Sequence, residues 1–355
     1  MREFAVKLER IHTGSVSLFS EEDGVLVQWG IFGLSALAVV IAGYKLGRYG
    51  DEIAEATGIE RAWIGMLLLA TVTSLPELVT TVTAGAISAP EIALGNIFGS
   101  NLFNMAIIAV MEAISFWILR HRDLPPLLSH VSGDQLLYAA AAIVLSSLGI
   151  VGISFASGRE FLGMGPVSWI ILLFYPLSVW ALYRPGERAD RAAKSPREAV
   201  RPLLKFALAA TVVVFAGMYL ARSGEEIAQA TRLTGTFMGA IFIAASTSLP
   251  ELMSCLGALR IRSFDLLMGN LFGSNMFNVF TIPFADLAYR GALLPSGSPN
   301  QVAVAALSIV LMAVAAFGIQ RRSHRRLLGL GYEAWGILGG YLLAVYILFV
   351  RGIEF

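Results

Sequence analysis

The chain has 355 residues, of which 56% are hydrophobic and only 14% charged, with a formal net charge of +1. A soluble domain carries about a quarter charged residues, so this composition excludes an ordinary water-soluble globule and points to a lipid bilayer as the solvent. No basic tail offers nucleic acid a partner, and a single cysteine, Cys255, excludes an intrachain disulfide.

Residues 1–24 are mixed in charge, lack the three regions of a signal peptide, and are expected to form an N-terminal tail. A membrane-spanning helix needs roughly 20 mostly apolar residues. On that criterion the chain is expected to hold about ten. The first set covers roughly 25–44, 60–88, 92–118, 135–154 and 164–183. The second covers roughly 203–221, 236–259, 264–289, 301–319 and 334–351. Between them, residues 184–201 form the longest polar connector, dividing the chain into halves 25–183 and 202–355.

Loop charges order these spans across the membrane. Lys45, Arg48 and Arg61 follow the first span, Arg120 and Arg122 the third, and Arg184, Arg188, Arg191, Lys194, Arg197 and Arg201 the fifth. Arg260 and Arg262 follow the seventh, and Arg321, Arg322, Arg325 and Arg326 the ninth. The positive-inside rule assigns these loops to the cytoplasm. The linker 184–201 is then cytoplasmic and both termini external.

The two halves repeat. A shift of 251 − 77 = 174 residues lays "TSLPEL" at 73–78 on "TSLPEL" at 247–252, and "GNIFGSNLFN" at 95–104 on "GNLFGSNMFN" at 269–278. The motif regions 50–112 and 224–286 align without a gap, with about 25 of some 63 positions identical, which marks an internal repeat. An odd number of spans per half makes the second half enter the membrane from the opposite side. Such inverted repeats recur in secondary transporters, whose substrates bind near the bilayer midplane on interrupted helices.

Each "TSLPEL" places a helix breaker and an acid in the middle of an apolar run. Pro76 and Pro250 lack an N–H, so carbonyls upstream lose their helical partner. In lipid those carbonyls must find another, and a bound cation is one. Glu77 and Glu251 supply negative charge at a depth where no lysine or arginine lies. Thr73, Ser74, Thr247 and Ser248 add hydroxyls. Ser100 with Asn104, and Ser274 with Asn278, are four apart and share a helix face. Every donor in the set is a hard oxygen, which suits Na⁺ or Ca²⁺ rather than zinc or copper.

Plainer readings stand beside this one. A lone Pro-Glu can simply start a helix, with the dipole favouring the acid; its duplication at matched depth argues against that. Gly95, Gly99, Gly269 and Gly273 by themselves indicate close helix packing. Asp51, Glu52, Glu225 and Glu226 read as charges at helix starts. Glu112 and Asp286 lie near span ends, where a carboxylate can be interfacial, and their role stays open.

The paired "TSLPEL" and "GNxFGSNxFN" segments resemble the two sequence repeats of the sodium/calcium exchanger family, within the cation/Ca²⁺ antiporter superfamily. The short linker is similar to that of prokaryotic-type members. The resemblance implies an all-α integral membrane protein of ten transmembrane helices in two inverted-topology repeats, in the plasma membrane. It implies Na⁺ and Ca²⁺ as transported ions, with no cofactor, no catalytic residues and no obligatory protein partner. Glu77 and Glu251 would bind both ions. Thr73, Ser74, Thr247, Ser248, Ser100, Asn104, Ser274, Asn278 and the carbonyls of Ala70 and Ala244 would complete the set. The first helix of each half would slide over a fixed core. Members often carry an aspartate at one of the positions matched by Asn104 and Asn278, and this chain has asparagine at both. The proton-coupled branch carries "GNxxE", where this chain has glycine in place of the acid. A cation/H⁺ antiporter on the same scaffold is the alternative. A channel is disfavoured because the ligands converge on one site without a filter-like ring, and no nucleophile–base pair suggests an enzyme.

Overall fold

The computed structural model describes residues 21–120, 124–155, 158–183, 196–230 and 246–350. Long apolar runs without an internal proline become long helices, because in lipid the backbone can satisfy itself only within a helix or a closed barrel. The longest is α1, Glu21–Thr57. It is followed by α2 (Arg61–Thr73) and α3 (Leu75–Ala86), which meet at a 50° bend. Then come α4 (Pro90–Ala113), continued by a π-helical turn over Ile114–Ile118, α5 (Gln135–Phe155) and α6 (Pro166–Ala181).

The second half opens with α7, Pro196–Ala230, as long as α1 to within two residues. Further along come α8 (Leu249–Arg260), α9 (Phe264–Phe280) and α10 (Ile282–Ala288), then α11 (Pro299–Arg321) and α12 (Tyr332–Val350). A two-residue antiparallel hairpin, Arg326–Leu327 with Leu330–Gly331, precedes α12.

Five of the described helices are long and apolar enough to cross a membrane on their own: Val25–Thr57, Pro90–Ile118, Gln135–Phe155, Ala199–Ile227 and Pro299–Arg321. A sixth is obtained if the bent pair Arg61–Thr73 and Leu75–Ala86 is one broken span. Pro166–Ala181 is apolar but shorter. The run expected at 264–289 divides at Thr281, because Pro283 cannot donate into the preceding turn. Of the run expected at 236–259, residues 236–245 lie outside the described residues.

The interior is built on α4 and α9. Every residue of α9 from Leu266 to Val279 is buried. Apolar surface drives little association between helices in lipid, so contact relies on small residues that admit the neighbouring backbone. A side chain at Gly65 would run into the α9 backbone at Leu266 and Asn270, one at Gly269 into the Ala62 carbonyl, and one at Gly273 into Met66. The counterparts for Gly95 and Gly99, near 236–240 by the repeat, lie outside the described residues.

The helices α1 and α7 pack along each other. Their outer faces expose Leu26, Leu34, Leu37, Leu204, Leu208 and Phe215, as a lipid-facing surface does. Gly217 of α7 lies over both repeat prolines: a Cβ there would stand 2.8 Å from Pro76 Cγ and 3.6 Å from Pro250 Cγ.

Asp51 and Glu52 do not start a helix, contrary to the sequence expectation; they lie in the last turns of α1, and Glu225 and Glu226 near the end of α7. Acids there oppose the helix dipole. The compensation is local. Arg61 pairs with Asp51 at 2.5 Å, Lys205 with Glu52 at 3.0 Å, and Arg222 with Glu226 at 3.1 Å. The helices therefore run on past the apolar stretch that hydropathy alone marks.

Candidate cation site

The two "TSLPEL" copies fold alike. In the first, α2 ends at Thr73, Ser74 turns out of the helix at φ −95°, ψ 9°, and α3 restarts with Pro76 and Glu77 in its first turn. In the second, Ser248 adopts φ −91°, ψ 10°, and α8 restarts with Pro250 and Glu251 in the same places. Proline suits a first turn because its missing N–H would be an orphan there anyway. The plain helix-start reading and the cation-site reading share this local geometry. Surroundings separate them.

Glu77 and Glu251 are each only 1% exposed. Among the described residues neither forms an ion pair. They lie near enough for their charges to interact. Ser74 Oγ donates to Glu251 Oε1 at 2.9 Å, across the two halves. Among the described residues, both carboxylate oxygens of Glu77 and Glu251 Oε2 have no hydrogen-bond partner. A carboxylate buried without donors or a counter-charge costs several kcal/mol. A bound cation removes that cost.

The remaining predicted residues are buried as well: Thr73, Ser74, Ser100, Asn104, Thr247, Ser248, Ser274 and Asn278. Ser248 Oγ, Ser274 Oγ, Asn104 Oδ1 and Asn278 Oδ1 likewise have no partner among the described residues, and all are oxygens. The Ala70 carbonyl accepts from the Ser74 N–H at 3.0 Å and from Thr73 Oγ1 at 3.5 Å, so it is engaged within its own helix. Ala244 lies outside the described residues. No three His, Cys, Asp or Glu side chains converge among the described residues. A cation here therefore depends on two carboxylates and neutral oxygens, a set matched to hard ions.

Residues beyond the sequence expectation support these helices. Asn96 Nδ2 donates to the Glu77 carbonyl at 3.2 Å and to Thr81 Oγ1 at 2.9 Å. Its repeat mate Asn270 donates to Ser254 Oγ at 2.8 Å, and Ser254 donates to the Glu251 carbonyl at 3.0 Å. Asn101 and Asn275 interlock at the crossing of α4 and α9, each donating to the other's backbone carbonyl, at 3.2 and 3.3 Å. The available signal was identity: all of Asn96, Asn101, Asn270 and Asn275 recur at the 174-residue offset.

Glu112 and Asp286 are buried but differently served. Asp286 accepts from the Gly165 N–H at 2.8 Å, Ser168 Oγ at 2.5 Å and the Leu293 N–H at 2.7 Å. Glu112 accepts from the Gly331 N–H at 2.6 Å. Gly165 and Gly331 immediately precede α6 and α12, so each acid binds the positive N-terminus of the last helix of the other half.

The family model for "Sodium/calcium exchanger protein" matches residues 27–184 and 202–351. The chain belongs to the sodium/calcium exchanger family. This exchanger family is one of transporters, and the chain is a multi-pass membrane protein. It is 25% identical over 334 residues to the inner membrane protein YrbG of Escherichia coli strain K12, covering 89% of this chain and 97% of that one. It is 24% identical over 269 residues to the sodium/calcium exchanger MaX1 of Methanosarcina acetivorans, covering 65% and 74%. Its fold is similar to the solved structure of the sodium-calcium exchanger NCX_Mj soaked with 10 mM Na⁺ and zero Ca²⁺. That likeness has a TM-score of 0.72 at 18% identity and spans 91% of this chain and 99% of that one.

Proposed function

We propose that this exchanger-family chain is a secondary active antiporter that moves Na⁺ against Ca²⁺ by alternating access at one midplane site. Glu77 and Glu251 carry its charge. Thr73, Ser74, Ser100, Asn104, Thr247, Ser248, Ser274, Asn278 and the carbonyls of Ala70 and Ala244 complete it. The observation that carries the reading is the pair of buried carboxylates with no basic partner and almost no donors among the described residues. Two such charges are unfavourable in an apolar interior. One Ca²⁺ neutralises them, as do two Na⁺, and a further Na⁺ would rest on neutral oxygens. The empty, charged site is therefore the least stable species to carry across. That penalty couples the two fluxes, because the return step needs the other ion.

The architecture we propose is ten spans in two inverted repeats, with the motif regions 50–112 and 224–286 facing each other across a pseudo-two-fold axis. A two-fold relation makes equivalent residues exchange the same bonds in both directions, and Asn101 with Asn275 do so. The basic loops favour a cytoplasmic linker at 184–201 and external termini in the plasma membrane.

The test is Ca²⁺ flux into proteoliposomes under an imposed Na⁺ gradient and, separately, an imposed pH gradient. The expected result is uptake driven by outward Na⁺ movement and indifferent to the pH gradient. Uptake that follows the pH gradient alone would replace Na⁺ coupling with proton coupling at the same glutamates.

A further inference from the structure

Asn101 and Asn275 lie outside the proposed ligand set, yet both are fully buried. Their orientation follows from chemistry alone. A backbone carbonyl can only accept a hydrogen bond. Asn101 Nδ2 faces the Asn275 carbonyl at 3.2 Å, and Asn275 Nδ2 faces the Asn101 carbonyl at 3.3 Å. Turning either amide over would set oxygen against oxygen. The side-chain oxygens are thereby committed as well. Asn101 Oδ1 accepts from Asn278 Nδ2, and Asn275 Oδ1 accepts from Asn104 Nδ2, both at 3.0 Å.

The consequence passes to Asn104 and Asn278. Each spends its NH₂ group on the clasp, which leaves each Oδ1 without a partner among the described residues. An amide free to flip would present N–H to a cation in part of the ensemble, and a donor repels a cation. An amide whose nitrogen is held elsewhere presents oxygen only. We infer that Asn101 and Asn275 are positioning residues that lock Asn104 and Asn278 as oxygen donors for the transported cation, each half orienting the ligand of the other. The inference rests on the site reading given above.

The crossed wiring makes a selective test. Asn275→Ala removes the acceptor that holds Asn104. It leaves the Asn275 carbonyl in place, so Asn101, and through it Asn278, keeps its orientation. Ca²⁺ binding to the purified full-length protein, titrated calorimetrically without Na⁺, is the readout. Loss of an outer residue that orients a metal ligand weakens binding about 10–100-fold, and Asn275→Ala is expected to fall in that range. In an Asn104→Ala background it should add no further loss, because its target is gone. In an Asn278→Ala background the two losses should multiply. Asn101→Ala provides the mirror test, non-additive with Asn278→Ala and multiplicative with Asn104→Ala, and either arm suffices.

Unchanged affinity in Asn275→Ala and Asn101→Ala would overturn the inference. So would an Asn275→Ala loss of the same factor in both backgrounds, since a merely structural role does not distinguish them. Glu77→Gln, titrated alongside, separates the two levels. If it binds Ca²⁺ like the unmodified chain, the site reading fails and the inference with it. If it loses Ca²⁺ while the clasp variants do not, the clasp alone is wrong.

Discussion

Two pairs of buried acids are related by the same offset, Glu77 with Glu251 and Glu112 with Asp286, since 286 − 112 = 174. The outer pair is met by donors. Asp286 receives two backbone N–H groups and a hydroxyl, and Glu112 receives the N–H of Gly331. The central pair receives a serine hydroxyl on Glu251, while both oxygens of Glu77 go without a partner among the described residues. Burial is nearly the same, at 2% exposed or less for all four. Burial of an acid is therefore no guide to its task. What distinguishes the pairs is whether the protein supplies the hydrogen bonds, or leaves the charge for something else to balance.

The sharpest way to break this contrast is to neutralise each acid without changing its shape. At the centre, Glu77→Gln or Glu251→Gln removes half of the charge offered to a divalent ion. Removing one partner of a buried charge interaction costs about 3–5 kcal/mol, so Na⁺-driven Ca²⁺ uptake in proteoliposomes is expected to fall on the order of a hundredfold or more. Thermal stability without divalent ions should hold or rise, because a like-charge contact is relieved. A large stability loss with transport preserved would reverse the assignment.

At the edge the expectation is the opposite. Asp286→Asn sets an NH₂ group against donors that need an acceptor, each unsatisfied group costing about 1–3 kcal/mol. The melting temperature should drop, while Ca²⁺ affinity of the folded fraction stays within a few-fold. Glu112→Gln should do the same more weakly, because the amide oxygen can still accept the Gly331 N–H that meets Glu112 at 2.6 Å. Calorimetric melting with Ca²⁺ titration on the same samples separates the two outcomes.

The smallest effects belong to a third class of acid, partly exposed and already paired. Glu52→Gln and Glu226→Gln break contacts to Lys205 and Arg222 whose side chains are over a third exposed. Such pairs are worth about 0–1 kcal/mol. Both variants should transport Ca²⁺ at close to the original rate. A strong transport defect in Glu52→Gln would mean that the link between α1 and α7 does more than hold two helices together.

Much of this molecule was legible beforehand, for reasons that can be named. Membrane character follows from composition. The family follows from two motifs that repeat without a gap. Glu77 and Glu251 stood out because an acid beside a proline is improbable in an apolar run, and doubly so when duplicated. Helix ends were less legible. Apolarity placed the first span at roughly 25–44, whereas α1 runs to Thr57, because Arg61 and Lys205 neutralise the acids of its last turns from other helices. Asp286 could not be read at all, since Gly165 is 121 residues away.

The sequence by itself determined the solvent, the repeat, the family and the residue types on offer, because each depends on composition or on spacing along one chain. Only the tertiary structure decided which of the buried polar groups are satisfied. Asn101 and Asn104 are two asparagines on the same helix. One donates to a carbonyl of α9, and the other keeps an oxygen without a partner among the described residues. A hydrogen bond has a direction and a reach of about 3 Å, and which atoms come within that reach is set by how helices from opposite ends of the chain cross.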